Sequence, residues 1–489
     1  MRRVAITIRG QLEITAADLS LRDLEALKGM LTAANPMWSK QQRLGLRGND
    51  TERFIRFWAQ QNGVVYLPRG SINKVRNLLR SRGYDTEFRS DVTTNAGQPC
   101  PLTDLNVSLR PYQEEAMESL QEKVQGVLQI PCGGGKTTTT AAAMLCSGYA
   151  GMVIVHTHEI LNQWVETINR LTSGLVRPRI IQGSHSRFSP LAPGEVAVAM
   201  VQTLVKHQIQ PLLNSVGCFV IDEAHHAPST IWRTVLNRCP ARYRWGLTAT
   251  PERSDGMGFA LEHFLGPTMF QISTTDLIEQ KFLVSPLIIP VATGWEASAK
   301  CDGPPFKYAK AKKEGNESPK RLGLIVRITK RAAESGRRTL VLVSSKKACG
   351  RIARALGAEG VTAEPLTSND SKKHRMMKLS GFQGSRIDVL VATQLADEGL
   401  DLPEIDCMVI CDGGKARGRA LQRIGRSLRP PDKPVIFEMI DGGPFERQWS
   451  GRRQYYLREY GRESLYAWEG VNEAVAIKPL DRDRSALGF

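Results

Sequence analysis

Two blocks of the chain alternate short apolar runs with helical patterns, and this alternation restricts the available folds more than any other feature. In the first block, the apolar runs lie at residues 127–130, 152–156, 196–200, 218–221 and 244–247. The alternation returns after residue 320, with runs at residues 339–344, 387–392, 408–411 and 435–440. Such runs are typical of buried parallel strands. The sequence therefore predicts an α/β fold with two tandem, doubly wound parallel-sheet lobes and a small α+β N-terminal domain.

Breaks in composition divide the 489 residues into five predicted parts. Residues 93–101 are polar and turn-rich, residues 294–320 combine Gly and Pro with a Lys-rich run, and the strand pattern stops near Gly442. We predict an N-terminal accessory domain at 1–100, a first lobe at 101–293, a basic linker at 294–320, a second lobe at 321–445 and a C-terminal helical extension at 446–489.

Cysteine usage, apolar run length and charge limit the class of protein. The nine cysteines include no Cys-x-x-Cys pair, so neither a zinc knuckle nor a disulfide framework is expected, and a reducing cytoplasm is the simplest setting. The longest apolar runs are far too short to cross a bilayer. We expect a cytoplasmic protein, bacterial or phage-encoded, with no membrane partner. The net charge of +17 favours a polyanionic partner such as nucleic acid, although a charge for solubility explains it equally well.

The segment PCGGGKT at residues 131–137 has the composition of a phosphate-binding loop. It follows an apolar strand and opens into a predicted helix, so its glycines let backbone N–H groups surround a phosphate. Lys136 would reach the β- and γ-phosphates, and the Thr137 hydroxyl would take one Mg²⁺ position. The strict pattern requires glycine at position 130, where this chain has Ile130. The predicted nucleotide-binding residues here are Gly133, Gly134, Gly135, Lys136, Thr137 and Thr138.

Two adjacent acids, Asp222 and Glu223, end an apolar strand about 85 residues further on. Carboxylates at this edge of a parallel sheet lie where such folds bind ligands. We predict that Asp222 holds Mg²⁺ through water and that Glu223 orients and deprotonates the attacking water. His225 is predicted to contact the next motif as a coupling residue, and His226 to be structural.

Several segments together resemble the ordered motifs of superfamily 2 helicases. They are LRPYQ at 109–113, HTHEILNQW at 156–164, VQTL at 201–204, DEAH at 222–225, GLTATP at 246–251, LVLVSS at 340–345, ATQLADEGLDLP at 392–403 and QRIGRSLR at 422–429. They occur in order over about two-thirds of the chain. The glycine-rich loop resembles the xeroderma pigmentosum B-type branch and related phage branch-migration helicases, whereas the second-lobe motifs look closer to phage and restriction-type motors.

This resemblance implies two RecA-like lobes, ATP and Mg²⁺ as cofactors, and nucleic acid as partner, with DNA favoured over RNA and a monomeric motor. Arg110 and Gln113 would belong to the adenine-recognition motif, with Gln113 reading the base edge. The residues implied on the second lobe are Gly399 and Asp401 for nucleotide binding and Gln422, Arg426 and Arg429 for catalysis. Arg426 and Arg429 would neutralise charge on the γ-phosphate in the transition state.

The predicted activity is ATP hydrolysis coupled to unwinding, branch migration or reannealing of DNA. A duplex translocase that remodels complexes without strand separation, and an RNA helicase, remain as alternatives. By analogy with the family, movement would run from 3′ to 5′.

The flanking segments are basic and aromatic. Residues 1–105 carry sixteen Lys/Arg and ten Asp/Glu, and residues 53–58 (RFIRFW) interleave arginine with aromatics. We expect the aromatics of that segment to fill the small core and its arginines to contact nucleic acid. Ser71 is predicted to cap a helix. The tail near residues 449–460 is predicted to be a helix that packs on the second lobe.

Overall fold

The computed structural model of the chain describes residues 2–43, 51–183, 186–249, 258–296, 305–393, 405–412, 433–442 and 444–465. These residues divide into two compact units, one formed mainly by residues 1–272 and the other mainly by residues 273–489. Within the described ranges, no helix is both long and apolar enough for a bilayer crossing.

The N-terminal domain of the first unit is a five-stranded sheet with three helices and a separate strand pair. Its elements are β1 (Arg2–Ile8), β2 (Gln11–Thr15), α1 (Leu21–Met30), β3 (Thr32–Ala34), α2 (Pro36–Arg43), β4 (Phe54–Arg56), β5 (Ala59–Gln61), β6 (Val64–Pro68), α3 (Ile72–Ser81) and β7 (Tyr84–Ser90). The sheet order is β5-β6-β2-β1-β7, in which only β1 and β7 are parallel, and β3 pairs with β4. The predicted α+β class is confirmed.

The first lobe is built on a seven-stranded parallel sheet. Its elements are α4 (Pro111–Glu122), β8 (Gln125–Gln129), α5 (Lys136–Cys146), β9 (Gly151–Val155), α6 (His158–Leu171), β10 (Arg179–Ile181), β11 (Val196–Met200), α7 (Val201–Leu204), α8 (Gln210–Ser215), β12 (Cys218–Ile221), α9 (Thr230–Leu236), β13 (Tyr243–Thr248), α10 (Leu261–Leu265) and β14 (Thr268–Gln271). The strand order is β10-β11-β9-β12-β13-β8-β14. Every residue of β9, β11 and β12 is buried, which explains why these strands are apolar throughout.

The N-terminal domain packs directly on this lobe, and their apolar residues form one continuous core. The buried Arg69 donates to the backbone carbonyls of Ala241 and Arg242, and the buried Arg244 donates to the carbonyls of Gly10 and Cys239. Carbonyl acceptors of this kind offset part of the cost of burying a guanidinium.

The connection between the N-terminal domain and the first lobe also lies against the lobe. Thr93 N donates to Pro240 O and Gly97 N donates to Gly148 O, at 2.8 Å each. The segment predicted as a linker is therefore hydrogen-bonded along the first lobe.

Ser71 precedes α3 without capping it, because its hydroxyl contacts His263 Nδ1 at 2.9 Å. The predicted capping role of Ser71 is wrong.

The second unit contains a six-stranded parallel sheet. Its elements are α11 (Thr274–Glu279), β15 (Leu287–Ala292), α12 (Pro305–Glu317), α13 (Pro319–Glu334), β16 (Thr339–Val343), α14 (Lys346–Ala358), β17 (Ala363–Leu366), α15 (Lys372–Gln383), β18 (Val389–Thr393), β19 (Cys407–Ile410), β20 (Val435–Ile440) and α16 (Pro444–Tyr460). The strand order is β15-β20-β19-β16-β18-β17. The two parallel sheets confirm the predicted fold class.

The edges of the second unit differ from the sequence boundaries. The first lobe was predicted to extend to residue 293, yet β15 pairs with β20 in the second sheet. Residues 305–317, within the predicted basic linker, form a helix. The tail helix α16 packs on the second sheet as predicted, since Arg452 Nη2 lies 3.0 Å from the buried Glu438 carboxylate and Tyr456 donates to the same carboxylate.

Candidate nucleotide-binding site

The glycine-rich loop connects the end of β8 to the start of α5. Gly133 and Gly135 both have φ of 81°, a left-handed conformation that favours glycine. Lys136, Thr137 and Thr138 are the first three residues of α5, so their backbone N–H groups point out of its N-terminal end. A phosphate at this end of the helix would meet N–H donors and the positive end of the helix dipole.

Ile130 stands where the strict loop pattern has glycine. Its side chain is fully buried, and its N–H donates to Thr248 O at 3.3 Å. The residue thus extends the pairing of β8 with β13 and contributes to the core. Its departure from the pattern leaves the two left-handed glycines of the loop in place.

Gln113 lies beside the loop, in the first turn of α4. Its Oε1 accepts from the backbone N–H of Arg110 at 2.9 Å, at the start of the helix. A Cβ at position 135 would overlap the Gln113 amide nitrogen, so that amide is in contact with the loop at Gly135. Gln113 is therefore in contact with the loop, and Arg110 is hydrogen-bonded to Gln113.

Asp222 and Glu223 follow directly on β12. Trp164 Nε1 donates to Asp222 Oδ2 at 2.8 Å, and the Glu223 backbone N–H donates to Asp222 Oδ1 at 2.8 Å. Glu223 has φ of 52°, an uncommon value for a residue with a side chain. The two adjacent acids have different neighbours, since Asp222 accepts from Trp164 while Glu223 Oε2 lies 3.2 Å from His225 Nδ1.

Burial and neighbouring charges act in opposite directions on the two acids. Burial and the charge of Glu223 raise the pKa of Asp222, while Lys136 and the Trp164 hydrogen bond partly offset them. Burial also acts to raise the pKa of Glu223, but the hydrogen bond from His225 and the charges of Lys136, His225 and His156 hold it below its usual range. Lys136 of the loop thus acts electrostatically on both carboxylates, which brings the two predicted halves of the site together.

Three histidines extend from Glu223 toward the start of α6. His225 Nδ1 lies 3.2 Å from Glu223 Oε2. The His225 and His226 ring centroids are 4.3 Å apart, and those of His226 and His156 are 4.7 Å apart. Gln202 Nε2 donates to His156 O at 3.0 Å. We name His156, His225 and His226 the imidazole row. It connects Glu223 to two of the segments that resemble helicase motifs, residues 156–164 and 201–204.

Two members of this arrangement were not assigned by the sequence. Trp164 was recognised only as part of a motif, and its hydrogen bond to Asp222 joins residues 58 positions apart. His156 was likewise not singled out. The ring of His226, which was predicted to be structural, lies between those of His225 and His156. A histidine that directly follows a buried strand, as His156 does, is the one sequence signal that marks this position.

Several predicted residues lie outside the described ranges. They are Gly399 and Asp401 of the nucleotide-binding set and Gln422, Arg426 and Arg429 of the catalytic set. Their predicted roles rest on the resemblance.

Among the residues that are described, no three His, Cys, Asp or Glu side chains group together as a metal-binding cluster. Asp222 beside a phosphate loop fits Mg²⁺, which usually binds one or two protein ligands together with phosphate oxygens and water.

Family models match both lobes of the chain. The family described as "Type III restriction enzyme, res subunit" matches residues 106–253, and the family described as "Helicase conserved C-terminal domain" matches residues 320–430. The two matches fall on the two parallel-sheet lobes, in the order that the motifs predict.

Curated relatives carry helicase or translocase names. A putative DNA 3′–5′ helicase Rad25 of Halobacterium salinarum is 28% identical over 400 residues, which cover 79% of this chain and 62% of that protein. A DNA 3′–5′ translocase of Sulfurisphaera tokodaii is 24% identical over 76% of this chain and 91% of its own length. The DNA 3′–5′ helicase XPB of Mycobacterium tuberculosis is 25% identical over 79% of this chain and 70% of its own length.

Solved structures share the fold at low sequence identity. Yeast Dbp5 bound to RNA and ADP BeF3 has a TM-score of 0.51 and 15% identity over 74% of this chain and 95% of that chain. The Type ISP restriction-modification enzyme LlaBIII bound to DNA has a TM-score of 0.54 and 13% identity over 74% of this chain and 31% of that chain. The fold is that of tandem RecA-like lobes, the architecture of helicase-type ATPases. The chain belongs to superfamily 2 of the helicases and, within it, resembles the xeroderma pigmentosum B-type branch.

Proposed function

We propose that the chain is a nucleic-acid-stimulated ATPase that moves along DNA, as a helicase or translocase of superfamily 2. The observation that carries this proposal is that the glycine-rich loop and the two acids follow β8 and β12, two strands of the same parallel sheet, at the same edge. The charge of Lys136 there also acts to lower the pKa of both acids. A phosphate cradle beside two carboxylates is the arrangement that phosphoryl transfer to water requires.

The proposed roles follow from the chemistry of each side chain. Lys136 and the N–H groups of the loop bind the β- and γ-phosphates, while Thr137 and Asp222 hold Mg²⁺. When bound, Mg²⁺ supplies charge neutralisation at the phosphate oxygens. Glu223 accepts the proton of the attacking water, and its low pKa keeps it in the ionised form that a base requires. Gln113 orients the loop and, by resemblance, contacts adenine together with Arg110.

We propose that the imidazole row couples hydrolysis to nucleic-acid binding. Its inner end, His225, has Nδ1 3.2 Å from Oε2 of the proposed base Glu223, and its outer end, His156, directly precedes Thr157, whose side chain caps α6. A shift of α6 on binding a strand would therefore change the packing of the row and the orientation of Glu223. His225 of the row is the histidine of the segment DEAH at residues 222–225, in which one residue separates it from the two acids.

DNA is the proposed substrate, with movement from 3′ to 5′. Several relatives are named as DNA 3′–5′ helicases or translocases, and the net charge of +17 suits a polyanion. The chain spans 62% of the length of the halobacterial relative. One relative's name, translocase, supports a second candidate function, which is movement on duplex without strand separation.

ATP hydrolysis measured with single-stranded DNA, duplex DNA, forked DNA and RNA tests the proposal. We expect the largest stimulation by one of the DNA forms, and affinity that falls steeply with salt because Lys/Arg–phosphate contacts release counterions. Strand displacement on the best activator then separates a helicase from a duplex translocase. Stimulation by RNA alone would overturn the DNA assignment, and no stimulation by any nucleic acid would overturn the motor proposal.

A further inference from the structure

One surface of the N-terminal domain places an arginine close to two aromatic rings. Arg53 Cζ lies 5.4 Å from the ring centroid of Trp38 in α2 and 5.2 Å from that of Phe54 in β4. The Phe54 side chain is 46% exposed, and Arg53 and Arg56 are exposed as well. We name Trp38, Arg53 and Phe54 the aromatic platform. Trp38 is half-buried, so the platform places one exposed and one half-buried ring beside a positive charge.

The two halves of the platform are fixed to each other by Asn35. Its Oδ1 accepts from Met37 N at 3.0 Å at the start of α2, and its Nδ2 donates to Glu52 O at 2.9 Å. Its backbone N–H also donates to Arg53 O at 2.9 Å. A surface that is ordered before a ligand arrives loses less conformational entropy on binding.

The neighbouring aromatics have other roles. Phe57 is buried against Phe264, with ring centroids 5.8 Å apart, and Trp58 donates its N–H to Thr32 Oγ1 at 3.0 Å. The expected core-filling role is therefore correct for Phe57, but Phe54 faces solvent. Because Phe57 follows β4 directly and packs on the first lobe, the platform belongs to the same compact unit as Lys136 and Glu223.

We propose that the aromatic platform binds unpaired nucleobases by stacking, with Arg53 and Arg56 pairing with the adjacent phosphates. Aromatic and guanidinium planes stack on any base, and cations beside them contact the backbone. The excess of sixteen Lys/Arg over ten Asp/Glu in residues 1–105 favours this ligand over a basic or neutral peptide. The inference rests on the proposed motor function and adds a contact for single-stranded DNA outside the lobe motifs.

The test compares two DNA strands that differ only in their bases. Fluorescence anisotropy would measure the Kd of the full-length protein for a single strand and for an abasic strand of equal length, which keeps the phosphates. The Trp38→Ala/Phe54→Ala double variant should bind the normal strand about tenfold or more weakly and the abasic strand as the wild type does. Leu21→Ala is the matched control, because Leu21 is an 83% exposed apolar side chain of the same domain.

The outcomes separate the platform from the motor proposal. Recovery of the base preference in a Trp38→Phe/Phe54→Tyr variant, with melting temperatures equal to wild type, would support stacking. A double variant that keeps the wild-type preference for the normal strand would overturn the platform alone. Equal losses on both strands would also overturn it, because they indicate phosphate contacts or altered folding. A wild-type protein that binds neither strand would overturn both proposals.

Discussion

The hydrogen bond from Trp164 to Asp222 provides a sharp test of how the acid pair is held. Trp164→Phe keeps a buried ring but removes the donor that lies 2.8 Å from Asp222 Oδ2. A hydrogen bond to a charged group contributes about 1.5–3 kcal/mol, which corresponds to roughly 10- to 150-fold. We therefore expect the single-turnover rate of ATP hydrolysis at saturating Mg²⁺ to fall by at least about tenfold.

Trp245→Phe is the matched control for this experiment. Trp245 is also fully buried in the first lobe, and its indole N–H has no hydrogen-bond partner among the described residues. Both variants remove the same ring atoms, so both should lower the melting temperature, while only Trp164→Phe should slow hydrolysis strongly. Equal rate losses in the two variants would show that ring packing, rather than the hydrogen bond, supports the Asp222 carboxylate.

Three further predictions test other parts of the account. Lys136→Ala should weaken ATP binding, measured by equilibrium titration, because the loop loses its charge on the phosphates; wild-type affinity would contradict this role. His156→Ala should lower the ratio of DNA-stimulated to basal ATPase rate, and a preserved ratio would exclude the imidazole row as the coupling path. Burial and the charge of Lys74 lower the pKa of His263 in the folded protein below its ordinary value of 6.5. The contribution of neutral His263 to the free energy of unfolding is therefore fully present above pH 6.5 and is lost as the pH falls toward the folded-state pKa. The melting temperature should thus decline below pH 6.5 less in His263→Gln than in wild type; parallel declines would remove His263 as the cause.

The central strands could be predicted from the sequence, whereas the edge strands could not. Fully buried strands such as β11 and β12 are continuous apolar runs, and their predicted bounds match the structure. In the two lobes, the strands that were missed, β10, β14, β15 and β17, all lie at sheet edges. An edge strand has only one neighbour and tolerates polar residues and proline, so its pattern is weaker. β15 contains Pro290 and β17 contains Pro365.

The candidate site was predictable where its chemistry is local in sequence. The glycine-rich loop and the acid pair each consist of a few consecutive residues. Their residue types alone indicate phosphate binding and metal or water binding. Trp164 and His156 act through contacts across the fold, and nothing in their own segments indicates which side chain they meet. For the same reason, the sequence could not divide the aromatics of residues 53–58 between core and surface.

The behaviour of Glu223→Gln tests the central claim most directly. The glutamine keeps the size of the side chain but cannot accept the proton of the attacking water. ATP binding and DNA-stimulated hydrolysis would be measured on the same preparation. We predict that the variant binds ATP with near wild-type affinity while its turnover falls by about 100-fold or more, the usual contribution of a general base. Turnover at the wild-type rate would contradict the assignment of Glu223 and with it the proposed catalytic site.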